Sequence, residues 1–480
     1  MGAPADLTRR RRLLVLAICC MSLLIMGLDT TIVNVALPSI RKELHASVSG
    51  LQWTIDAYTL VIASLLVLAG STADRVGRRR VFQIGLVVFS LASLLCGLAG
   101  SLDLLVAFRV LQAVGGSMLN PVAMSIIRNV FEDPRERAMA IGAWGAVFGL
   151  SMALGPVVGG ALVEAASWRL VFFVNVPIGL AAIVLTSLYV PESRAERPRR
   201  LDPVGQMLVI GALATLTYAI IEGPRHGWTS AEILALFGTA AACFAVLVPF
   251  ELRRAEPLLE LRFFRSAPFS GASAIAVLAF ASLGGFLFLN TLYLQDVRGL
   301  SPLDAGLYLL PMAGMLVVFA PLSGRLIGRV GSRPSLVLAA ATLIASALML
   351  TRITPSTATG YLLGSYFLAG IGTGLINPPI TNTAVSGMPS AQAGVASAIA
   401  STSRQVGMTL GVAVIGAIAA GAIPSKIGPG FAAATHPAWW VIVGFGAVIL
   451  LLGLVTTSRW ADKTAKRTAR HLSESEMVPA

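Results

Sequence analysis

The stretch LQAVGGSMLNP, Leu111 to Pro121, returns as LAGIGTGLINP, Leu368 to Pro378, 257 residues later. Two further pairs keep nearly the same spacing. GSTADRVGRR from Gly70 resembles GRLIGRVGSR from Gly324 at an offset of 254, and SMALG from Ser151 matches GMTLG from Gly407 at an offset of 256. Three matches at almost one spacing mean that the chain carries two copies of one unit. Both copies must have the same orientation, so each unit holds an even number of elements.

The elements are read from hydropathy. The chain is 56% hydrophobic and 12% charged over 480 residues, about half the charge of a soluble domain. Apolar runs of roughly twenty residues recur along its length, the pattern of helices that cross a bilayer. The predicted spans are 13–37, 51–72, 81–99, 102–125, 138–163, 170–190, 204–222, 231–250, 269–294, 303–325, 334–352, 359–380, 394–421 and 438–457, fourteen in all. At the amino end, Arg9–Arg12 and Leu13–Met26 have the basic and apolar regions of a signal peptide. No small-x-small cleavage site follows, and the apolar run continues to Leu37, so this segment reads as a retained first span. Six spans per unit leave two extra spans inside the offset, the seventh and eighth, giving a 6+2+6 plan. The predicted fold is all-α and membrane-embedded, with parallel repeats of the kind found in secondary transporters. Its segments are 1–12, a first six-helix bundle 13–190, a linker with two extra spans 191–265, a second bundle 266–457 and a tail 458–480.

Basic residues test the count. If the spans alternate as predicted, 27 of the 36 Lys and Arg fall on the side of the termini, from Arg9–Arg12 through Arg197, Arg199 and Arg200 to Arg470. Seven fall on the other side, among them Arg41, Arg169, Arg298 and Lys426, while Arg109 and Arg404 lie inside spans. The excess marks the cytoplasmic face, so both termini are expected there, in a plasma membrane. The net charge of +13 is thereby accounted for by topology, and a nucleic-acid partner is not expected. The four cysteines, Cys19, Cys20, Cys96 and Cys243, all lie in apolar runs and form no CxxC pair. They read as free thiols, with no metal site and no cofactor. No GxxxxGK[ST], HExxH or GxSxG occurs, so neither ATP hydrolysis nor familiar enzyme chemistry is supported.

Two charges stand deep in spans of the first unit. Asp29, in GLDTTIVNVALP, is eight residues before Leu37, about 12 Å below the outer end. Arg109 is seven residues into the fourth span, at similar depth. Each costs about 3 kcal/mol near the bilayer centre, so each should face a partner or a cavity. Gln112, Gly116 and Asn120 follow Arg109 at i+3, i+7 and i+11 and read as a cavity-lining stripe. Burial opposes the charge of a carboxylate and a neighbouring guanidinium supports it. A carboxylate balanced in this way can take a proton from one side and release it on the other, which makes Asp29 the candidate proton carrier. A static ion pair fixing two helices would place the same residues there.

Asp56, in QWTIDAYTL, reads as an acid near the outer mouth of the second span, solvated or attracting cations, with Trp53 and Tyr58 suited to the interfacial belt. Glu222 is expected at the outer end of the seventh span. Arg404, in STSRQVG, has no evident partner in its half and faces a cavity or an acid. In the loop after the second span, Gly70, Asp74, Arg75, Gly77 and Arg78 offer a tight turn and a contact at a helix start. The copy at Gly324 has Gly328 in place of Asp74, so an acid-dependent latch belongs to the first unit. The fifth span carries Gly142, Gly145, Gly149, Ser151, Gly155, Pro156, Gly159 and Gly160. Small residues permit close helix contact, and the proline frees a backbone carbonyl.

These motifs resemble the major facilitator superfamily over essentially the whole chain. GSTADRVGRRR is similar to its loop motif, LVAFRVLQAVGGS to its fourth-span motif, and the run Gly142–Gly160 to its antiporter motif, with Ser151 where glycine is usual. LDTTIVNVALP, WRLVFFVNVPIG and SRQVG resemble the fourteen-helix drug:proton antiporter branch. The resemblance implies export of a small molecule, commonly a lipophilic cation or antibiotic, in exchange for protons by alternating access. It casts Asp29 and Arg109 in proton coupling, the Asp74 loop as a conformational latch and the fifth-span glycines in closing the cavity; Asp56 is the candidate carrier if a second proton is coupled. Import by symport and a non-transporting sensor or scaffold are the competing readings. The short tail and the fifth-span motif argue against both. The expected partners are a small-molecule substrate, protons and the bilayer, and a monomer suffices.

Overall fold

The computed structural model describes residues 8–195, 201–254, 257–386, 388, 392–421 and 430–477. Arg197, Arg199, Arg200 and Lys426 of the charge tally lie outside these residues. Among the described residues, fourteen helices are long and apolar enough to cross a membrane. Some start at side-chain caps: Thr8 Oγ1 accepts from Arg11 N at 3.4 Å, and Ser47 Oγ accepts from Gly50 N at 3.1 Å. Large apolar side chains such as Leu91, Leu188 and Leu451 face outward, as a lipid-solvated surface allows.

By packing, the chain divides into two compact units, Met1–Gln206 with Leu300–Leu307, and Met207–Gly299 with Tyr308–Ala480. The first is built from α1 (Arg9–Leu44), α2 (Val48–Val76), α3 (Arg78–Gly97), α4 (Leu102–Val130), α5 (Pro134–Ala165), α6 (Leu170–Phe173) and α7 (Asn175–Tyr189). Here α1 packs on α4, α5 and α7, and α4 packs on α2 and α3. The core includes Val15, Met26, Tyr58, Phe82, Phe89 and Leu119. The extra spans are α8 (Pro203–His226) and α9 (Ala231–Arg253). After them come α10 (Ala267–Leu292), α11 (Pro302–Tyr308), α12 (Leu310–Val330), α13 (Ser332–Leu350), α14 (Thr359–Val385), α15 (Ala393–Gly421), α16 (Phe431–Ala434), α17 (His436–Thr456) and α18 (Arg459–Met477). In the second unit α10 packs on α14, α15 and α17, with α12 and α13 on α14.

Three predicted spans are broken helices. The sixth is α6 and α7, the tenth is α11 and α12, and the fourteenth, predicted from 438, extends back through the separate turn α16 ahead of α17. Each second piece has a proline near its start, Pro177, Pro311 and Pro437, which removes one helical hydrogen bond and crowds the preceding turn. The carboxyl-terminal stretch, read as a plain tail, is the helix α18. It buries Ala461, Ala465, Thr468 and Leu472 at helical spacing, with Leu472 against Phe263 and Phe269. Thr464 Oγ1 accepts from Ala267 N at 3.0 Å. A stripe of alanines and a threonine is too weakly apolar to stand out from the charged residues between them.

Candidate functional site

Inside the first unit, two side chains of α4 and one of α7 meet Asp29 of α1. Arg109 Nη1 donates to Asp29 Oδ2 at 2.5 Å, and the two side chains are 1% and 0% exposed. Gln112 Nε2 and Asn175 Nδ2 donate to Oδ1 at 2.9 and 3.2 Å. Gln112 is itself clamped: its Oε1 accepts from Arg109 Nη1 at 2.7 Å, and its Nε2 also reaches Ser93 Oγ at 2.8 Å. Arg109 Nε donates to the Thr54 carbonyl at 3.0 Å, and its Cζ lies 4.1 Å from the centre of the Tyr58 ring. A buried ion pair survives only when further hydrogen bonds replace the lost water. Here α2, α3, α4 and α7 supply them.

The sequence placed Asp29 and Arg109 at one depth, and the structure brings them together. Other expectations need correction. Tyr58 is not in an interfacial belt. It is 1% exposed, because the α2 face bearing Thr54 and Tyr58 turns onto the guanidinium. Asp56 is not a solvated acid at a helix mouth. It is fully buried, and among the described residues neither carboxyl oxygen meets a hydrogen-bond partner in good geometry. Gln112 lines no open space, since all its polar atoms turn into the Asp29 cluster. Gly116 packs near Tyr58 and Met26, and only Asn120 keeps a buried, unbonded oxygen. Arg404 meets hydroxyls rather than an acid, donating to Ser401 Oγ at 3.2 Å and to Thr381 Oγ1. Glu222 lies 3.2 Å from Arg225.

The fifth-helix motif touches α1 beside Asp29. Pro156 has no N–H to give the carbonyl of Met152, four residues back. That carbonyl accepts from Thr31 Oγ1 instead, at 3.3 Å. A Cβ on Gly155 would come within 1.9 Å of Thr31 Oγ1, and one on Gly159 within 2.6 Å of Ile32. Gly160 and Gly306 let α5 and α11 cross closely: a Cβ on Gly160 would come within 2.5 Å of Pro302 O, and one on Gly306 within 2.3 Å of Pro156 O. By contrast, Gly142 and Gly145 have nothing within 4 Å. Close packing belongs to the later half of the motif, where Ser151 is buried.

In the loop motif, Asp74 does not cap a helix. Its Oδ1 accepts from Arg78 Nε and Nη2 at 3.0 and 2.9 Å. The start of α3 is covered instead by Glu192, which the sequence reading did not single out. Its Oε1 accepts from Arg79 N at 3.1 Å. Gly77 turns the chain at φ 126°, where a side chain would also meet that carboxylate at 2.6 Å. Gly70, Asp74 and Arg75 belong to the end of α2 rather than to a loop, with Gly70 near Pro121 and Arg75 exposed in the last turn. Asn175 was missed as well. Its signal is a polar residue in an apolar span, on the same helical face as Trp168 and Phe172.

A buried ion pair inside the first unit and fourteen membrane-length helices among the described residues define a polytopic membrane protein. The Major Facilitator Superfamily profile matches residues 19–412, and the chain belongs to that superfamily. It is 37% identical over 420 residues to the multidrug resistance protein Stp of Mycobacterium tuberculosis, covering 88% of this chain and 78% of that one. It is 38% identical over 430 residues to the tetracenomycin C resistance and export protein of Streptomyces glaucescens, covering 89% and 79%. The fold is similar to a crystal structure of the peptide transporter POT with sulfate, at a TM-score of 0.67 and 16% identity over 96% of this chain and 95% of that one.

Proposed function

We propose that the protein is a secondary active transporter that exports small lipophilic or cationic drugs or antibiotics in exchange for protons. It works by alternating access in the plasma membrane, with both termini cytoplasmic and a 6+2+6 division of helices. One observation carries the reading: a single carboxylate, Asp29, is paired with Arg109 inside a membrane-spanning bundle. The relatives, a multidrug resistance protein and an antibiotic resistance and export protein, support the direction of transport and the class of cargo.

A buried carboxylate holds its charge only while its partners stay in place. Movement of α1 relative to α4 weakens the pair and favours protonation; the return movement expels the proton. The α5 glycines let α1 and α5 change contact close to Asp29, and the Asp74–Arg78 pair with Gly77 forms the loop latch. Asp56, buried with no hydrogen-bond partner in good geometry among the described residues, is a second proton carrier. With two protons for one monovalent cation, the membrane potential adds about 2.3 kcal/mol per 100 mV.

The test is ethidium uptake into everted membrane vesicles under an imposed pH gradient, for the native protein and for Asp29→Asn. Native uptake that disappears in the variant, with ethidium binding retained, supports the reading. Uptake unchanged by Asp29→Asn removes Asp29 from coupling. A measured stoichiometry of one proton removes Asp56.

A further inference from the structure

We propose that Asn175 is a positioning residue that reads both protonation states of Asp29, donating to the carboxylate through Nδ2 and accepting from the carboxylic acid through Oδ1. The inference rests on the proton-exchange reading above. It starts from an asymmetry between the two amides that touch Asp29 Oδ1.

Gln112 is committed at both ends. Its oxygen holds Arg109 and its nitrogen holds Asp29 and Ser93. Turning its amide over would break four hydrogen bonds, counting the one its oxygen accepts from Cys96 Sγ. Asn175 is 1% exposed and gives one bond, 3.2 Å from Nδ2 to Asp29 Oδ1. Its Oδ1 is buried and accepts nothing among the described residues. A buried acceptor left unmade costs about 1–3 kcal/mol, so its retention calls for a second state in which it is used.

Protonation supplies that state. An ionised carboxyl only accepts, and a protonated one must donate its O–H. When a proton adds to Oδ1, a half-turn of the Asn175 amide brings its free oxygen to the new donor. That turn breaks only the bond that protonation has already weakened. Arg109 stays bound to Oδ2 and keeps its charge, so the added proton changes the charge of the cluster by one. The titratable groups facing the cluster are Arg109 from α4, Tyr58 from α2 and, through Gln112, Cys96 from α3. Neither α5 from Met139 to Val163 nor α7 before Tyr189 carries a titratable residue.

The experiment separates proton turnover from substrate movement. Purified protein in liposomes is assayed for ethidium uptake driven by a pH gradient, and for exchange of labelled for unlabelled ethidium without one. Exchange needs no net proton transfer. Asn175→Ala is expected to lower driven uptake about tenfold, the effect of losing one hydrogen bond to a charged group, while exchange stays within about twofold. Asn175→Ser restores a group that can donate or accept and should recover part of the driven uptake. Equal loss of both activities in Asn175→Ala would show a structural role only and overturn the proposal. So would normal driven uptake in that variant, or no difference between Ala and Ser. Asp29→Asn is run alongside: if it retains driven uptake, the proton-exchange reading itself fails, whereas its loss beside a normal Asn175→Ala rejects the Asn175 role alone.

Discussion

The fourth-span motif relates Arg109 to Tyr366 at its offset of 257 residues. In the first half Arg109 forms a buried ion pair with Asp29. In the second, Phe286 and Tyr366 meet edge to face, with ring centres 5.4 Å apart, and Tyr366 Oη donates to Asn290 Oδ1 at 2.7 Å. Gln112, which clamps the ion pair, corresponds to Ala369. A small, mostly apolar cavity lies at that place, lined by Phe286, Met312, Ser346, Ala369 and Trp439 among others. One scaffold thus supports a charged centre and an uncharged one. The helices do not need the charges in order to pack, and that separates the function of the first centre from the fold.

The largest effect should come from splitting the ion pair. Arg109→Ala leaves Asp29 buried without its countercharge, at a cost of about 3–5 kcal/mol, read as lowered thermal stability in detergent. The double variant Asp29→Phe/Arg109→Tyr copies the second half onto the first. Replacing a buried pair by apolar groups of similar volume is often neutral or stabilising, so stability should largely return while pH-driven transport stays absent. A double variant as unstable as Arg109→Ala would mean that the charges are structural after all.

The halves are expected to agree where packing alone is at stake. Gly155 packs against Thr31 in the first half, and a Cβ on Gly411, its counterpart 256 residues on, would come within 2.2 Å of the Ala281 carbonyl oxygen in the second. Valine at either position should destabilise by about 1–3 kcal/mol through overpacking. Gly142→Ala, in open space, should be neutral or gain up to about 1 kcal/mol of helix propensity. Thermal unfolding of the three variants checks this. A tolerated Gly155→Val would sever the motif from the α1–α5 contact.

Hydropathy, the positive-inside count and the internal repeat made the fourteen helices legible in the sequence, because each depends on many residues at once. Asp29 and Arg109 were legible because a charge in an apolar span stands out, and helical rise sets its depth. What escaped were the partners. Asn175 is neutral, and Tyr58 looks like a belt residue until the rotation of α2 is known. Glu192 sits in a polar stretch where an acid attracts no notice; only the fold carries it to the start of α3. Rotation of a helix about its axis is fixed by contacts between helices. A sequence with no membrane-facing asymmetry in its small residues leaves that angle open, which is also why Gln112 read as cavity lining.

The smallest expected effect concerns the uncharged centre. If the cavity beside Ala369 is simply the space that Gln112 and Arg109 fill in the other half, an apolar side chain should fill it without cost to function. Ala369→Val adds two methyl groups facing Phe286 and Met312, and should raise stability by about 0.5–1 kcal/mol, the usual gain from cavity filling. Driven ethidium uptake should not change. A loss of uptake with stability intact would mean that the space is used during transport, by cargo or by a moving side chain. The second half would then have an active part of its own, and the contrast with the charged half would be one of chemistry rather than of function against scaffold.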